Sequence, residues 1–348
     1  MDRAKRRAAC LSDKMRVLVF DGPRRFRIEE RPLPTPGIGD VRIRVAYTGI
    51  CGSDLHGYTG ESGRRVAGMV MGHEASGWID EIGPGVEGPT NGAPVTFNPA
   101  LPCDGSCGHR IENQCSKLRV VGVTPDLPGA FAEAVVVPAD RVVPIDGASM
   151  RFGAAIEPVA VGLQAVRRAG VARGDAVLVI GGGMIGQCVA RAARLAGAGR
   201  VIVSDLFAER IELSVRSGFE ALEPGAVPPG QFDRAFDAVG GSPTATMAIT
   251  AVRKGGVACF VGLERPEITV PLFDIVVGER QIVGTFAYTD QAFHDAAANL
   301  ASGDLDIDAL IGPTVSMEET PDAFAALADG KRREVKIMMH TGAEVEVS

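Results

Sequence analysis

The apolar run Ala176-Val-Leu-Val-Ile180, followed at once by Gly181-Gly-Gly-Met-Ile-Gly186, constrains this chain more than any other feature. A short β-branched run reads as a strand buried on both faces. The glycine spacing that follows matches G-x-G-x-x-G in the context that gives it meaning, between a strand and a helix. There Gly181 permits the tight turn, Gly183 removes a side chain from the path of a pyrophosphate, and Gly186 lets helix and strand pack closely. Met184 and Ile185 open the helix, whose N-terminal amides and partial positive charge favour phosphate. Asp205 stands nineteen residues beyond Gly186, at the end of the next strand, Val201 to Ser204. A carboxylate there accepts hydrogen bonds from adenosine ribose hydroxyls and repels a 2′-phosphate, so NAD is expected over NADP. Arg210 is read either as a partner of a ribose hydroxyl or as a solvated helix residue, and it keeps NADP open. The plainer reading of the set is a strand-to-helix turn with Asp205 as a cap.

The loop sits in a regular alternation. Further strands are expected at Ala235 to Val239, Val257 to Val261 and Gln281 to Phe286, with helices at 154–170, up to about Ala196, and between several of the strands. Such alternation implies a doubly wound parallel sheet covered on both faces. Before it, from Met15 to about Ile145, short alternating stretches such as Val41-Arg-Ile-Arg-Val45 are punctuated by Gly and Pro and read as an antiparallel β barrel or sandwich. The 44 glycines suit that turn-rich texture. After Asp290, two helices and a strand Glu334 to Met339 are expected to fold back onto the first half. The chain is thus α/β, with 1–158 as one domain completed by 291–348, and 159–290 as the nucleotide domain. A cleft between the two lobes is the natural place for a small ligand.

Charge and hydropathy exclude other classes. A net charge of −7 and a pI near 5.4 give no basis for binding a polyanion, so no nucleic acid is expected. No apolar run approaches the ~20 residues of a membrane span, and the basic opening MDRAKRR precedes no signal core. A cytoplasmic protein is expected. The opening reads as an extension ahead of a first strand at Met15, and leaves open whether translation starts at Met1 or Met15. Seven cysteines without a secretory signal point to metal ligation rather than to a disulfide framework.

Cys51, His73 and Glu74, in Gly49-Ile-Cys-Gly-Ser-Asp-Leu-His56 and Gly72-His-Glu-Ala-Ser-Gly77, offer a thiolate, an imidazole and a carboxylate, a zinc-type set. Taken alone, Cys51 would be a small buried hydrophobe. With these segments, GHEASGWIDEIGPGV, the AIEPVAVG stretch at 155–162, the glycine loop and Asp205 in this order, the chain resembles the zinc-containing medium-chain dehydrogenase/reductase family from Met15 onward. Glu157 in that Ile-Glu-Pro context is similar to the sorbitol (polyol) dehydrogenase branch. The resemblance implies a GroES-like β-barrel catalytic domain beside a Rossmann domain, and a catalytic Zn2+ held by Cys51, His73, Glu74 and Glu157. It implies hydride transfer from a secondary alcohol, a polyol, cyclitol or sugar-like substrate, to NAD. It also implies Ser53 and His56 as a proton relay through a cofactor ribose hydroxyl, their ordinary alternatives being a turn serine and a surface histidine. Asp54 would orient His73 or cap a helix. Tyr58 would line the pocket or pack the barrel. A homodimer or homotetramer joined through edge strands of the nucleotide domain is implied as well.

Two departures matter. Cys107 and Cys115 keep the spacing of a structural zinc lobe, but Cys103 precedes Cys107 by four positions rather than three and a fourth cysteine is missing; His109 or Asp104 would have to complete a second site. Ala287 replaces the arginine that sorbitol dehydrogenases have before Tyr288, so sorbitol itself is not implied. Rival readings are a threonine 3-dehydrogenase-like or diol dehydrogenase, a zinc-independent reductase of the same superfamily, and a non-catalytic NAD-binding structural or regulatory protein.

Overall fold

The computed structural model describes residues 13–145 and 149–342. The basic opening and Cys10 lie outside them. The strand Ala176–Ile180 is apolar along its length and buried, as a central parallel strand must be. It anchors a six-stranded parallel sheet in the order Glu220–Leu222, Arg200–Ser204, Ala176–Ile180, Phe232–Asp237, Val252–Phe260, Gln281–Gly284. The order reverses at Ala176–Ile180, and the glycine loop leaves its C-terminal end into the helix Met184–Leu195. A doubly wound sheet binds its ligand at such a switch point.

Boundaries moved where side chains intervene. The strand expected to reach Val239 ends at Asp237, because that carboxylate accepts the amides of Val239 and Gly240 at 2.9 Å each and turns the chain out of the sheet. The helix expected from Ala154 is two pieces, Met150–Gly153, capped by Ser149, and Ile156–Ala169. The longer piece packs on Met184–Leu195 and Asp290–Ser302 over a core that includes Val159, Leu163, Val189 and Phe293.

The rest of the chain is mainly antiparallel. A seven-stranded sheet runs Ile311–Ser316, Lys336–His340, Asp40–Gly49, Ala75–Ile82, Pro94–Phe97, Val142–Pro144, with Ala134–Pro138 also paired to Asp40–Gly49. The hairpin Lys14–Gly22/Arg25–Pro32 forms its own two-stranded sheet, with isolated bridges from Val17 to Ala132 and from Val19 to Val70. The final segment does return to the first half: Met338 pairs with Gly49 and His340 with Tyr47. That register continues to Ile50, whose amide donates to Ile337 O at 2.9 Å, and brings Lys336 level with Cys51. Among the described residues no helix is long and apolar enough to cross a membrane.

Candidate active site

Cys51 leaves the strand Asp40–Gly49 and caps the helix Gly52–Thr59, while His73 and Glu74 precede the strand Ala75–Ile82, which pairs with the first. The pairing brings the three together: their ligand atoms lie within 4.8 Å of one another. Gly49 is required there, since a β-carbon at that position would stand 2.2 Å from Glu74 Oε2. His73 and Glu74 are buried, and Glu74 Oε1 has no hydrogen-bond partner in the protein. A buried oxygen beside a thiolate and an imidazole, left without a donor, is what a cation would satisfy. The donor set fits zinc.

Asp54 is not the helix cap. It is fully buried, with Oδ2 3.6 Å from His73 Nδ1 and Oδ1 accepting from Arg65 Nη2 at 3.3 Å. The carboxylate thus faces one imidazole nitrogen and leaves Nε2 for the metal side, as in carboxylate–histidine–zinc arrangements. Burial works against charge on both groups, but His73 and Arg65 hold Asp54 below the usual carboxylate range, and Asp54 and Cys51 hold His73 well above the usual imidazole value.

Glu157 opens the helix Ile156–Ala169 and stands outside the tight triad. It is near enough for Glu74, His73 and Lys336 to act on it. Desolvation first, then repulsion from Glu74, push its carboxyl up to about 7 against the pull of His73 and Lys336. Lys336 was not singled out from the sequence. It is buried, and its Nζ donates to Glu74 Oε2 at 2.5 Å and to Ile50 O at 3.1 Å. Its signal was a lone lysine inside the apolar run Val335-Lys-Ile-Met-Met339, where a charge needs a partner.

Ser53 and His56, one helical turn apart, share a face. Ser53 Oγ donates to Cys51 Sγ at 3.4 Å, so it borders the triad. His56 Nδ1 lies 3.0 Å from Glu61 Oε2 near the surface. Tyr58 belongs to the core: its ring stacks on Phe26 at 5.2 Å, and its hydroxyl donates to Arg24 O.

At the glycine loop, Gly181 has φ 95°, and a β-carbon on Gly186 would lie 1.7 Å from Gly181 O. Gly183 caps the helix that Met184 and Ile185 begin. Asp205 Oδ2 accepts from Gly182 N at 2.6 Å and lies 3.4 Å from Arg210 Nη1, while Oδ1 accepts from Phe207 N at 2.9 Å. A carboxylate has about four lone-pair sites, so ribose hydroxyls still find acceptors.

A second cluster gathers Cys103, Cys107, His109 and Cys115. Cys115 and Cys103 Sγ are 3.5 Å apart, Cys107 and Cys115 Sγ 3.6 Å, and His109 Nδ1 lies 3.2 Å from Cys107 Sγ and 3.8 Å from Cys103 Sγ. Tetrahedral zinc with Zn–S of ~2.3 Å requires edges of roughly 3.6–3.8 Å. His109 completes the set; Asp104 turns away and accepts from Ser106 N.

Comparison with known proteins places the chain in a family. Residues 37–147 match the alcohol dehydrogenase GroES-like domain, and 184–302 match the zinc-binding dehydrogenase domain. The chain is 32% identical to L-idonate 5-dehydrogenase of Vitis vinifera, over 92% of this chain and 93% of that one. It is 30% identical to D-xylulose reductase A of Aspergillus niger, over 90% and 93%. The crystal structure of 2R,3R-butanediol dehydrogenase from Bacillus subtilis superposes with a TM-score of 0.85 at 28% identity, over 94% of this chain and 100% of that one. The chain belongs to the zinc-containing medium-chain dehydrogenase/reductase family, with a GroES-like domain and a Rossmann domain, and it is a zinc-dependent alcohol dehydrogenase.

Proposed function

We propose that this enzyme oxidises a secondary hydroxyl of a small polyol, cyclitol or sugar-like substrate, R2CHOH plus NAD+ giving a ketone, NADH and a proton. The observation that carries the reading is the triad Cys51, His73 and Glu74, in which buried Glu74 Oε1 has no hydrogen-bond partner. Relatives named for L-idonate, D-xylulose and 2R,3R-butanediol support the substrate class.

Cys51, His73 and Glu74 would hold the catalytic zinc, with Glu157 as a further carboxylate facing the pocket. Bound zinc supplies a Lewis acid that lowers the pKa of a hydroxyl, as it lowers that of water from ~15.7 to ~7. Ser53 receives the substrate proton at Oγ, and His56 releases it toward solvent beside Glu61. Asp54 holds the imidazole of His73 in place. Gly181, Gly183, Met184, Ile185 and Gly186 cradle the pyrophosphate of NAD, and Asp205 with Arg210 takes the adenosine ribose. Cys103, Cys107, His109 and Cys115 hold a second, structural zinc. The division into 1–158 with 291–348 and 159–290, a cytoplasmic location and a homodimer or homotetramer belong to the same reading.

Metal analysis with a Cys51→Ser variant tests it. The variant is expected to lose the catalytic zinc and on the order of a thousandfold in rate, the several kcal/mol that the metal provides. Undiminished hydride transfer would end the assignment. A panel of polyols, cyclitols, sugars, diols and threonine, followed by NADH absorbance, tests the substrate class; turnover of threonine alone would favour the amino-acid branch.

A further inference from the structure

The segment 286–290 carries the chain out of the nucleotide sheet into the helix Asp290–Ser302, and residues of the first half pin it at both ends. Asn113 Nδ2 donates to Phe286 O at 2.8 Å. At the other end, Asn98 Nδ2 donates to Asp290 Oδ1, and Arg141 Nη1 reaches both oxygens of the same carboxylate, each at 2.9 Å. Between the pins Ala287 takes φ 49°, in the left-handed region that an alanine occupies only when its surroundings impose it. The next residue, Tyr288, is 2% exposed. Its ring lies 5.5 Å from that of Phe293, and burial first, then the neighbouring Glu157 carboxyl with Glu74 and Cys51, hold its hydroxyl well above the usual phenol range. Strain of this kind, held by bonds from outside the segment and followed by a buried polar group, marks a device for aiming that group.

We propose that Asn113, together with Asn98, Arg141 and Asp290, positions the active site: the two pins impose the left-handed turn at Ala287, and the turn holds the Tyr288 hydroxyl on Glu157. The hydroxyl donates to one carboxylate oxygen and so fixes where the other faces, toward the triad or toward a substrate hydroxyl. Asn113 lies in the short turn Glu112–Gln114, directly before Cys115. The Cys103–Cys115 lobe therefore acts on the reaction through one side-chain hydrogen bond rather than only stabilising the fold. The inference rests on the reading of Glu157 as a pocket carboxylate given above.

Full-length Asn113→Ala, Ala287→Gly, Tyr288→Phe and the Asn113→Ala/Tyr288→Phe double variant test it through three readouts. In the zinc-loaded protein, hydrogen exchange of the 285–291 segment should rise about tenfold in Asn113→Ala, should not rise in Ala287→Gly, where glycine takes the left-handed turn without strain, and should remain unchanged in the core strand Ala176–Ile180. With Co2+ exchanged into the catalytic site, Asn113→Ala should shift the visible bands in the same sense as Tyr288→Phe, and the double variant should shift them no further. KM for a polyol should rise about tenfold in either single variant, with kcat much less affected, again without addition in the double. Effects that multiply in the double variant, or exchange and cobalt spectra left unchanged by Asn113→Ala, would overturn the proposal. Should the wild type oxidise no polyol, the substrate reading falls, and the exchange and cobalt measurements still decide whether the pins govern Tyr288.

Discussion

The pair Lys336–Glu74 shows how much of the triad is held by a single buried contact. Both side chains are almost wholly shielded, and Lys336 adds a bond to Ile50 O beside Cys51. Charge on the carboxylate is tolerable there because the ammonium is next to it; removing one partner of a buried pair typically costs about 3–5 kcal/mol, whereas replacing both can be close to neutral. Lys336→Met is therefore expected to lower the free energy of unfolding by about that amount in denaturant titrations of metal-free protein. Lys336→Met with Glu74→Gln should recover most of it, and a double variant no more stable than the single would show that the ion pair is not what Lys336 supplies. Asp205→Ser should raise kcat/KM for NADP+ relative to NAD+ by roughly ten- to a hundredfold, each factor of ten being ~1.4 kcal/mol; an unchanged ratio would remove Asp205 as the discriminating residue. These residues also mark where the sequence was readable. Cys51, His73 and Glu74 stood out because soft and charged ligands in glycine-flanked segments have few other uses. Lys336 did not, since its partner is 262 positions away, and no local pattern announces a contact made by strand register. Arg65 was hidden although Asp54 is only eleven positions away, because the loop that carries it has no regular pattern to read.

At the level of elements, the glycine loop and its flanking strand and helix were legible because turn chemistry and burial dictate the same residues. The strand Ile311–Ser316 was not expected: Gly312 and Pro313 interrupt its alternation, and it forms because the buried strand Lys336–His340 offers it a parallel edge. The lobe from Cys103 to Cys115 was half legible. Its three cysteines were evident, but the choice between His109 and Asp104 needed the turn in which Asp104 is occupied by Ser106 N. Once folded, the lobe brings one imidazole to two sulfurs, and contact with His109 pulls the Cys107 thiol down to about 5, the behaviour of a ligand readied for a cation. The purified chain is expected to carry two zinc ions. His109→Ala should leave about one, with loosened packing around Asn113, and Asp104→Ala should leave two. Metal analysis showing one ion in the wild type, or two in His109→Ala, would deny the lobe its metal.

For the whole molecule, the two edges of the parallel sheet differ in kind. At one, the short strand Glu220–Leu222 is dressed with the surface ion pair Arg200–Glu220, the charged finish that keeps an edge from pairing further. At the other, the strand Gln281–Gly284 carries no such pair, and Ile282 is exposed on it. Beside that strand the helix Leu272–Val277 turns Leu272, Phe273 and Val276 outward at 68%, 76% and 65% exposure. Arg280 fixes helix to strand by donating to Asp274 O and Val252 O, so the apolar ridge is a built surface and not a frayed end. Three large apolar side chains exposed on one short helix make a candidate contact surface. A second copy related by a twofold axis is expected to cover it with the same residues, antiparallel edge to edge. Such an interface needs about 1,200 Å² or more of buried surface to persist at micromolar concentration. Sedimentation of the wild type is accordingly expected to give a dimer or a multiple of it. Phe273→Asp with Val276→Lys, both on the exposed face, should give a folded monomer. A wild type that sediments as a monomer, or a double variant with unchanged mass, would leave the ridge without its partner.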